Sequence, residues 1–426
     1  MEKQTIIAVA VFLVVYGLLI WDKIERAIVS LLGASIIILL GVLDQDTAVA
    51  GVDFNTIGLL IGMMITVNIC QKTGMFQYLA IRSAKLAKGK PWRILVYLTI
   101  LTALLSALLD NVTTVLLIAP ITLLIADELR LTPYPFLFAE ITASNIGGTA
   151  TLIGDPPNIM IGSAAKLSFM DFVVNVAPAV PFVLICYIGV LWLVFGKKMK
   201  VDEAHRQRIL AFREEDAIKD GRSLKICIGV LIAVVAGFVL HSTLHLEAAT
   251  IAIAGATILL LLTRESFHDM SLKVEWTSIF FFVGLFILVH GLVETGVIKY
   301  FAQKMLTATG GDLSVTAYSI IWGSAVLSAF VDNIPFVATM IPLLNDLATH
   351  MGGAEAIKPL WWALSLGACL GGNGTIIGAS ANVIVAGISA KSGHPIGFVK
   401  FMLLAFPLML ASVAIGNLYI YLRFFL

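Results

Sequence analysis

The chain is short of charge. Asp, Glu, Lys and Arg make up 13% of its 426 residues, against ~25% in a soluble globular domain. Its four cysteines, Cys70, Cys186, Cys227 and Cys369, are scattered and match neither a paired metal spacing nor a disulfide framework. No G-x-x-x-x-G-K-[ST] run occurs, so by that test the chain carries no ATPase site of its own. A formal charge of +1 supplies no basic field. Together these deficits exclude a soluble enzyme, a disordered chain and a nucleic-acid binder. What fills the sequence is apolar: 59% of the residues are hydrophobic. A membrane-spanning helix needs ~20 of them in a row, so an all-α polytopic membrane protein is expected.

The first apolar run, 5–20, is followed by no small-residue cleavage site. Asp22-Lys23-Ile24-Glu25-Arg26 leads directly into a second run, 27–43. This reads as a hairpin of spanning helices rather than a cleavable signal.

The sequence repeats itself. Shifted by 222 residues, Phe54, Gly62, Thr73-Gly74, Tyr78 and Ala80 fall on Trp276, Gly284, Thr295-Gly296, Tyr300 and Ala302. Ser106 to Asn111 falls on Ser328 to Asn333, and Pro120 on Pro342. At a shift of 224, Gly147 to Gly154 falls on Gly371 to Gly378, and Asn158 on Asn382. Polar pairs in fixed order mark an internal repeat. The expected division is a first repeat 1–196, a basic linker 197–222 and a second repeat 223–426. The charged stretch itself runs over 197–225, and a solvated cytoplasmic linker is its expected form.

In each half, one segment (~93–129 and ~315–350) is too long for a single crossing and carries an Asp-Asn pair near its middle. That is the pattern of a re-entrant hairpin with its tip at mid-membrane depth, where irregular backbone is tolerated only if it lines a cavity. Glycine-rich broken helices follow at ~134–166 and ~357–390. Five crossings plus one hairpin per half invert the second half relative to the first. With both termini outside, 22 of the 28 Lys and Arg residues fall on the inner side, as the positive-inside rule asks. About ten transmembrane helices result, with two hairpins and two discontinuous helices. The mixed segments 74–90 and 296–306 read as amphipathic arms along the interface.

Inverted repeats with broken helices and a midplane site are the signature of a secondary transporter, not an enzyme. Asp110 has the type and place to cap the second hairpin helix. An ionisable group at such depth is a functional hypothesis by default. Asp332 repeats it, with Pro335 in place of Thr113, so the two tips should not be equivalent. In the first break, Gly148, Thr149, Thr151 and Asn158 surround Asp155, which should cap a new half-helix that begins at Pro156. Gly372, Asn373, Thr375 and Asn382 form the second break, with Ala379 in place of Asp155.

The four segments 104–121, 143–161, 326–344 and 366–385 contain no Lys, Arg or His but hold Asp110, Asp155 and Asp332. A dianion would meet repulsion and no paired base unless sodium came with it. A neutral polyhydroxyl solute or a cation is favoured, and so is proton coupling. Glu140 is a further candidate for the proton. His290 and Glu294, at i and i+4, read as a structural pair. His241 and His245 lack a third ligand, and Cys369 reads as a packing residue, so no metal site is expected.

Ser106, Asp110-Asn111, Pro120 and Gly148-Thr149-Ala150-Thr151-Leu152-Ile153-Gly154-Asp155-Pro156-Pro157-Asn158 together resemble the ArsB/P-protein branch of the ion transporter superfamily. Dicarboxylate–sodium symporters of that superfamily carry Ser-Asn-Thr where this chain has Asp-Asn. The resemblance implies scaffold helices around a mobile transport unit in the inner membrane. It implies efflux of arsenite or antimonite, as the neutral trihydroxides, in exchange for protons, with no cofactor. A soluble ATPase subunit could then dock at the cytoplasmic linker. It places Asp110, Asn111, Asp332 and Asn333 at hairpin tips, and Thr149, Thr151, Asn373 and Thr375 at helix breaks. On this reading the solute bonds to Asn111, Thr113, Thr149, Asn333 and Asn373, and Thr114, Asn145, Gly148, Thr151, Asn158, Gly372, Thr375 and Asn382 also count among its expected ligands. Asp110 and Asp332 lead as proton carriers, ahead of Asp155 and Glu140. A sodium–proton antiporter and an anion or dicarboxylate carrier are the competing readings.

Overall fold

A computed structural model describes residues 2–21 and 23–426 of the chain. Asp22, the first residue of the charged turn, lies outside the described residues. Among these residues the regular structure is helical throughout. Nine helices are long and apolar enough to cross a membrane, and Arg26–Leu39 and Ala248–Thr263 are shorter apolar helices beside them.

The outer helices cannot be water-facing. Only 22% of the apolar window of Gly221–Leu244 is buried, and 28% of that of Ala179–Lys198. Ile185, Leu193, Leu261 and Leu403 stand well exposed on such surfaces. A helix apolar all round but covered on one side needs lipid on the other. Phe54–Lys72 and Asn111–Glu128 are instead 67% buried and form the interior.

The two halves interlock through small residues. Arg26–Leu39 packs on Trp276–Glu294, and Phe54–Lys72 on Ala248–Thr263. A Cβ on Gly284 would stand 2.5 Å from the Ser30 carbonyl carbon, and one on Gly62 2.6 Å from that of Ala252. Gly284 is the repeat partner of Gly62, and Ala252 that of Ser30, so one crossing is built twice. Close backbone approach of this kind holds helices together where lipid removes the hydrophobic drive.

Each hairpin is two long arms, Pro91–Leu108 with Asn111–Glu128 and Leu313–Val331 with Asn333–His350. The broken helices are Tyr134–Gly148 with Pro156–Ala165 and Lys358–Gly371 with Ser380–Lys391. The first piece of each broken helix packs on its own hairpin. The second piece crosses to the other half's hairpin, Ser380–Lys391 to Asn111–Glu128 and Pro156–Ala165 to Asn333–His350. The two tips and the two breaks therefore meet at the centre.

Met75–Leu86 and Val297–Thr309 are the separate amphipathic helices expected at the arms. The linker, however, is not free in solvent. Its short helix Glu203–Ala211 and the turn Glu214–Ala217 lie against Met75–Leu86. Glu214 is buried there and accepts from Arg82 at 2.8 Å and from Lys85. The Lys219 amide bonds the Thr73 carbonyl at 3.0 Å. The basic residues that composition assigns to solvent are partly spent on this docking.

Candidate functional site

The two hairpin tips are built differently. Asp110 caps Asn111–Glu128 as expected, accepting from the Thr113 amide at 2.7 Å and from the Thr113 hydroxyl. At the second tip Pro335 supplies neither donor. Asp332 accepts instead from the Ile334 amide at 3.0 Å, and its second oxygen turns to Arg26 at 2.6 Å and the Ser380 hydroxyl at 3.2 Å. Its φ of +74° is costly for a residue with a side chain.

Arg26 overturns the expectation of a base-free site. It is absent from the four polar segments because it sits 306 residues from Asp332 in the chain. The packing of Arg26–Leu39 on Trp276–Glu294 delivers its guanidinium to the tip. A signal was present: under the shift of 222, Arg26 falls on Ala248, so a base opens this helix in one repeat alone. Arg26 therefore serves the site rather than an inner loop. With Phe281, Phe330, Pro335 and Ile377, the pair borders a cavity of about 10 Å³.

Asp155 departs from its expected role. It occupies the capping position, but its side chain makes no capping bond. The reason is local. Pro156 and Pro157 have no N–H to offer, and the Asn158 amide bonds the backbone carbonyl of Asp155 at 2.9 Å. The carboxylate is left to face the opposite repeat, where Asn333 Nδ2 donates to its two oxygens at 3.1 and 3.3 Å. Asp155 is fully buried.

A chain of carboxamides joins the halves. Asn111 Nδ2 donates to Asn145 Oδ1 at 3.0 Å, and Asn145 Nδ2 donates to Asn373 and Asn382, both at 2.9 Å. Asn158 and Asn382 do equivalent structural work. Asn158 Nδ2 bonds the carbonyls of Gly148, Thr149 and Thr151, and Asn382 Nδ2 those of Gly372 and Thr375. The Ser365 hydroxyl and the Cys369 thiol close on Asn158 Oδ1 at 2.6 and 3.5 Å. Thr151 and Thr375 bond the Ala107 and Ala329 carbonyls on the hairpin arms at 2.6 and 2.5 Å, and Thr149 bonds the Asn145 carbonyl at 2.7 Å. These hydroxyls and amides hold the breaks in shape.

Gly148 is required by the same geometry, since a Cβ there would lie 2.4 Å from the Gly154 carbonyl oxygen. Gly372 approaches Gly378 in the same way, with 3.1 Å left for a Cβ. The Thr114 hydroxyl is buried without a partner. Asp155, Asn111, Asn145, Asn333 and Asn373 thus form the centre, each at most 3% exposed. The site is occluded in this conformation.

The remaining candidates lie apart from it. Glu140 is buried between Tyr134–Gly148 and Asn111–Glu128, with the Thr122 hydroxyl on one oxygen and no partner on the other. His290 and Glu294 are 3.6 Å apart on one helix face. His241 accepts from the Phe169 amide at 3.1 Å, which ties two helix ends together. With His245, Glu247, Lys166 and Asn55 it borders a cavity of about 460 Å³. Its neighbours Ser242 and Ala248 are the repeat partners of Ile20 and Arg26, which border the small cavity at Asp332. The crevice beside this helix start is thus narrow where the ion pair stands in it and wide in the other repeat.

Comparisons with known proteins agree with this architecture. Residues 16–367 match the citrate transporter family, CitMHS. An uncharacterized transporter of Mycobacterium bovis is 43% identical over 99% of both chains. A 46 kDa membrane protein of Mycobacterium leprae is 40% identical over 99% of both. The human P protein is 33% identical over 98% of this chain, which spans 60% of that protein. The crystal structure of the Alcanivorax borkumensis YdaH transporter superposes with a TM-score of 0.58 at 14% identity, covering 96% of this chain and 98% of that one. That likeness speaks for the fold. A chain with this interlocked helical core, a matched stretch of 352 residues and full-length transporter relatives is a multi-pass membrane transporter that belongs to the CitMHS family of the ion transporter superfamily.

Proposed function

We propose that the chain is a proton-driven secondary transporter that exports a small neutral, hydroxyl-bearing solute, with the trihydroxides of trivalent arsenic and antimony as first candidates. One observation carries this reading: Asp155 is fully buried where the first break meets the second tip, and its partners there, the Asn333 amide and the Cys369 thiol, are uncharged. A buried carboxyl with no counter-charge needs a proton or a bound cation. Asp332 has Arg26, and Asp110 has its capping bonds. The leading role as proton carrier therefore passes from Asp110 and Asp332 to Asp155.

The cycle follows from the donors. Asn111, Asn145, Asn333 and Asn373 offer amides and carbonyls that suit hydroxyl groups. Deprotonated Asp155 accepts from a solute hydroxyl and holds it. A proton arriving from outside takes that acceptor away, so the solute leaves and the proton returns inward. The inner membrane, with both termini outside and the linker in the cytoplasm, gives the orientation this cycle uses.

Citrate fits the geometry least. Three carboxylates meet at the centre and Arg26 is engaged by Asp332, so a tricarboxylate would face net repulsion. Sodium–proton exchange is the second reading, favoured by the acidic centre and its carboxamide oxygens. The test is arsenite uptake by inverted vesicles with and without an imposed pH gradient, for the wild type and Asp155→Asn. Gradient-driven uptake that a protonophore abolishes and Asp155→Asn lacks supports the proposal. Absence of arsenite uptake together with sodium-driven proton movement selects the second reading.

A further inference from the structure

Glu140 occupies a place where the other repeat is apolar. The helix-start correspondence carries Thr122 to Leu344 (a shift of 222) and Glu140 to Leu364 (a shift of 224), and both leucines are fully buried. Leucine at both places is therefore enough to pack a hairpin arm on a broken helix. The first repeat instead buries a carboxyl at 1% exposure. One of its oxygens meets the Thr122 hydroxyl and Oε2 has no partner. Packing alone does not ask for this, because a buried polar atom left unpaired is costly.

The surrounding helices bring no counter-charge. Among their titratable groups Tyr187, Cys369 and Cys70 are buried, the first two bonded to Thr142 and Asn158. Arg93, Tyr97, Asp127, Glu128, Tyr134, Cys186, Lys358 and Lys391 are at least partly exposed. So are Tyr78, Arg82 and Lys85 on Met75–Leu86 and His205, Arg206 and Arg208 on Glu203–Ala211, which pack on the Thr122 arm. Arg82 and Lys85 pair with Glu214, Arg206 pairs with Glu203, and none of these groups bonds to Glu140. The pair also joins a hairpin to a broken helix. Thr122 belongs to the hairpin arm that ends at Asn111, and Glu140 lies five residues before Asn145 on the helix that leads to the first break.

We propose that Glu140 is a second proton-binding site, loaded and unloaded once per transport cycle as the hairpin arm carrying Thr122 shifts against it. The proposal rests on proton-driven transport but names a site separate from Asp155. A proton on Oε2 removes a buried charge that no neighbour balances. A change of register at Thr122 removes the bond on the other oxygen and exposes the acid for release.

The direct test is infrared spectroscopy of the full chain in lipid over a range of pH. The expected result is a protonated-carboxyl band that titrates reversibly, disappears in Glu140→Gln and moves in Thr122→Val. Glu140→Gln should also lower the protons moved per arsenite by one while flux persists. The variant Thr122→Leu with Glu140→Leu copies the second repeat and guards against mere misfolding: it should fold, keep the Asp155 signal and lose the Glu140 band. A Glu140 band that never titrates, or no band lost in Glu140→Gln, overturns the proposal and leaves a structural acid. If the pH gradient drives no arsenite at all, the proton-driven reading fails in the flux assay while the titration still decides Glu140.

Discussion

The Arg26–Asp332 pair offers a quantitative test of how the second tip is held. Replacing Arg26 with alanine leaves the Asp332 carboxylate with the Ile334 amide and the Ser380 hydroxyl, and with no charge opposite it. Breaking a fully buried pair costs about 3–5 kcal/mol. Here the Arg26 side chain is 18% exposed and Asp332 retains two donors, so the expected loss is about 2–4 kcal/mol. In an Asp332→Asn background the stranded charge is gone, and Arg26→Ala should cost less than ~1 kcal/mol. Denaturant titrations of the four proteins in mixed micelles close the cycle, with an expected coupling of about 2 kcal/mol. Equal costs of Arg26→Ala in the two backgrounds would falsify the claim that the pair secures the tip. The same variant should widen the crevice in which the pair stands, so a thiol reagent should label a cysteine placed at Ile20 faster once Arg26 is removed.

Three further outcomes are expected. Asp155→Asn should fold with little loss of stability, since the Asn333 amide keeps an acceptor, but lose pH-driven flux; unchanged flux removes Asp155 from the coupling. Gly74→Ala should dislodge the linker, because Gly74 has a φ of +83° and its Cβ would lie 1.7 Å from the Ala217 carbonyl oxygen; limited proteolysis across 197–222 should quicken several-fold, and an unchanged rate contradicts the docking. Glu214 is held at about 2 by Lys85, its own backbone contacts and Arg82, below its ordinary value of 4.5. A carboxyl lowered on folding stabilises above its unfolded value, so the linker should stay docked at neutral pH and loosen as the pH falls from 4.5 toward 2. Glu214→Gln should erase that dependence in the same proteolysis assay.

Much of this was legible in the chain because a repeat is its own alignment. Both hairpin tips, both breaks and the amphipathic arms fall where matched polar pairs and glycines put them. Local chemistry carried the Asp110 cap as well, since the Thr113 amide and hydroxyl lie within one turn of it. What could not be read was contact between halves. Arg26 meets Asp332 only after two helices cross at Gly284, and Asn333 meets Asp155 only where a half-helix packs on the opposite hairpin. The linker was misjudged for a related reason: charge counts treat Arg82, Lys85 and Glu214 as solvated, whereas their pairing depends on where the chain folds back. Thr151, Thr375, Asn158 and Asn382 looked like ligands for solute because polar residues at a break are needed either to bind or to hold the backbone. Only the hydrogen bonds separate those two uses.

That separation suggests where function is concentrated. The bonds of Ser106, Thr151 and Asn158 recur at Ser328, Thr375 and Asn382, with the matching carbonyl acceptors. The bonds that hold each break and tie it to its hairpin are thus present in both repeats. Groups without a repeated partner include Arg26 against Ala248, Thr113 against Pro335, Thr114 against Phe336, Asn145 against Cys369, Asp155 against Ala379, and Thr122 with Glu140 against Leu344 with Leu364. These are the more polar in the first repeat, Ser380 against Pro156 is the converse, and all lie on the tips, on the breaks or in the packing around them. A symmetric scaffold can close on either side equally well. Coupling to a gradient needs the two sides to differ, and these few residues are the asymmetry that the chain supplies. Restoring the symmetry one place at a time, with Arg26→Ala, Asp155→Ala and the paired leucines at 122 and 140, should therefore weaken coupling while keeping the fold, with Asp155→Ala removing it and the paired leucines costing one proton per solute. Repeat-symmetric variants with unchanged coupling would show that coupling resides in the shared scaffold instead.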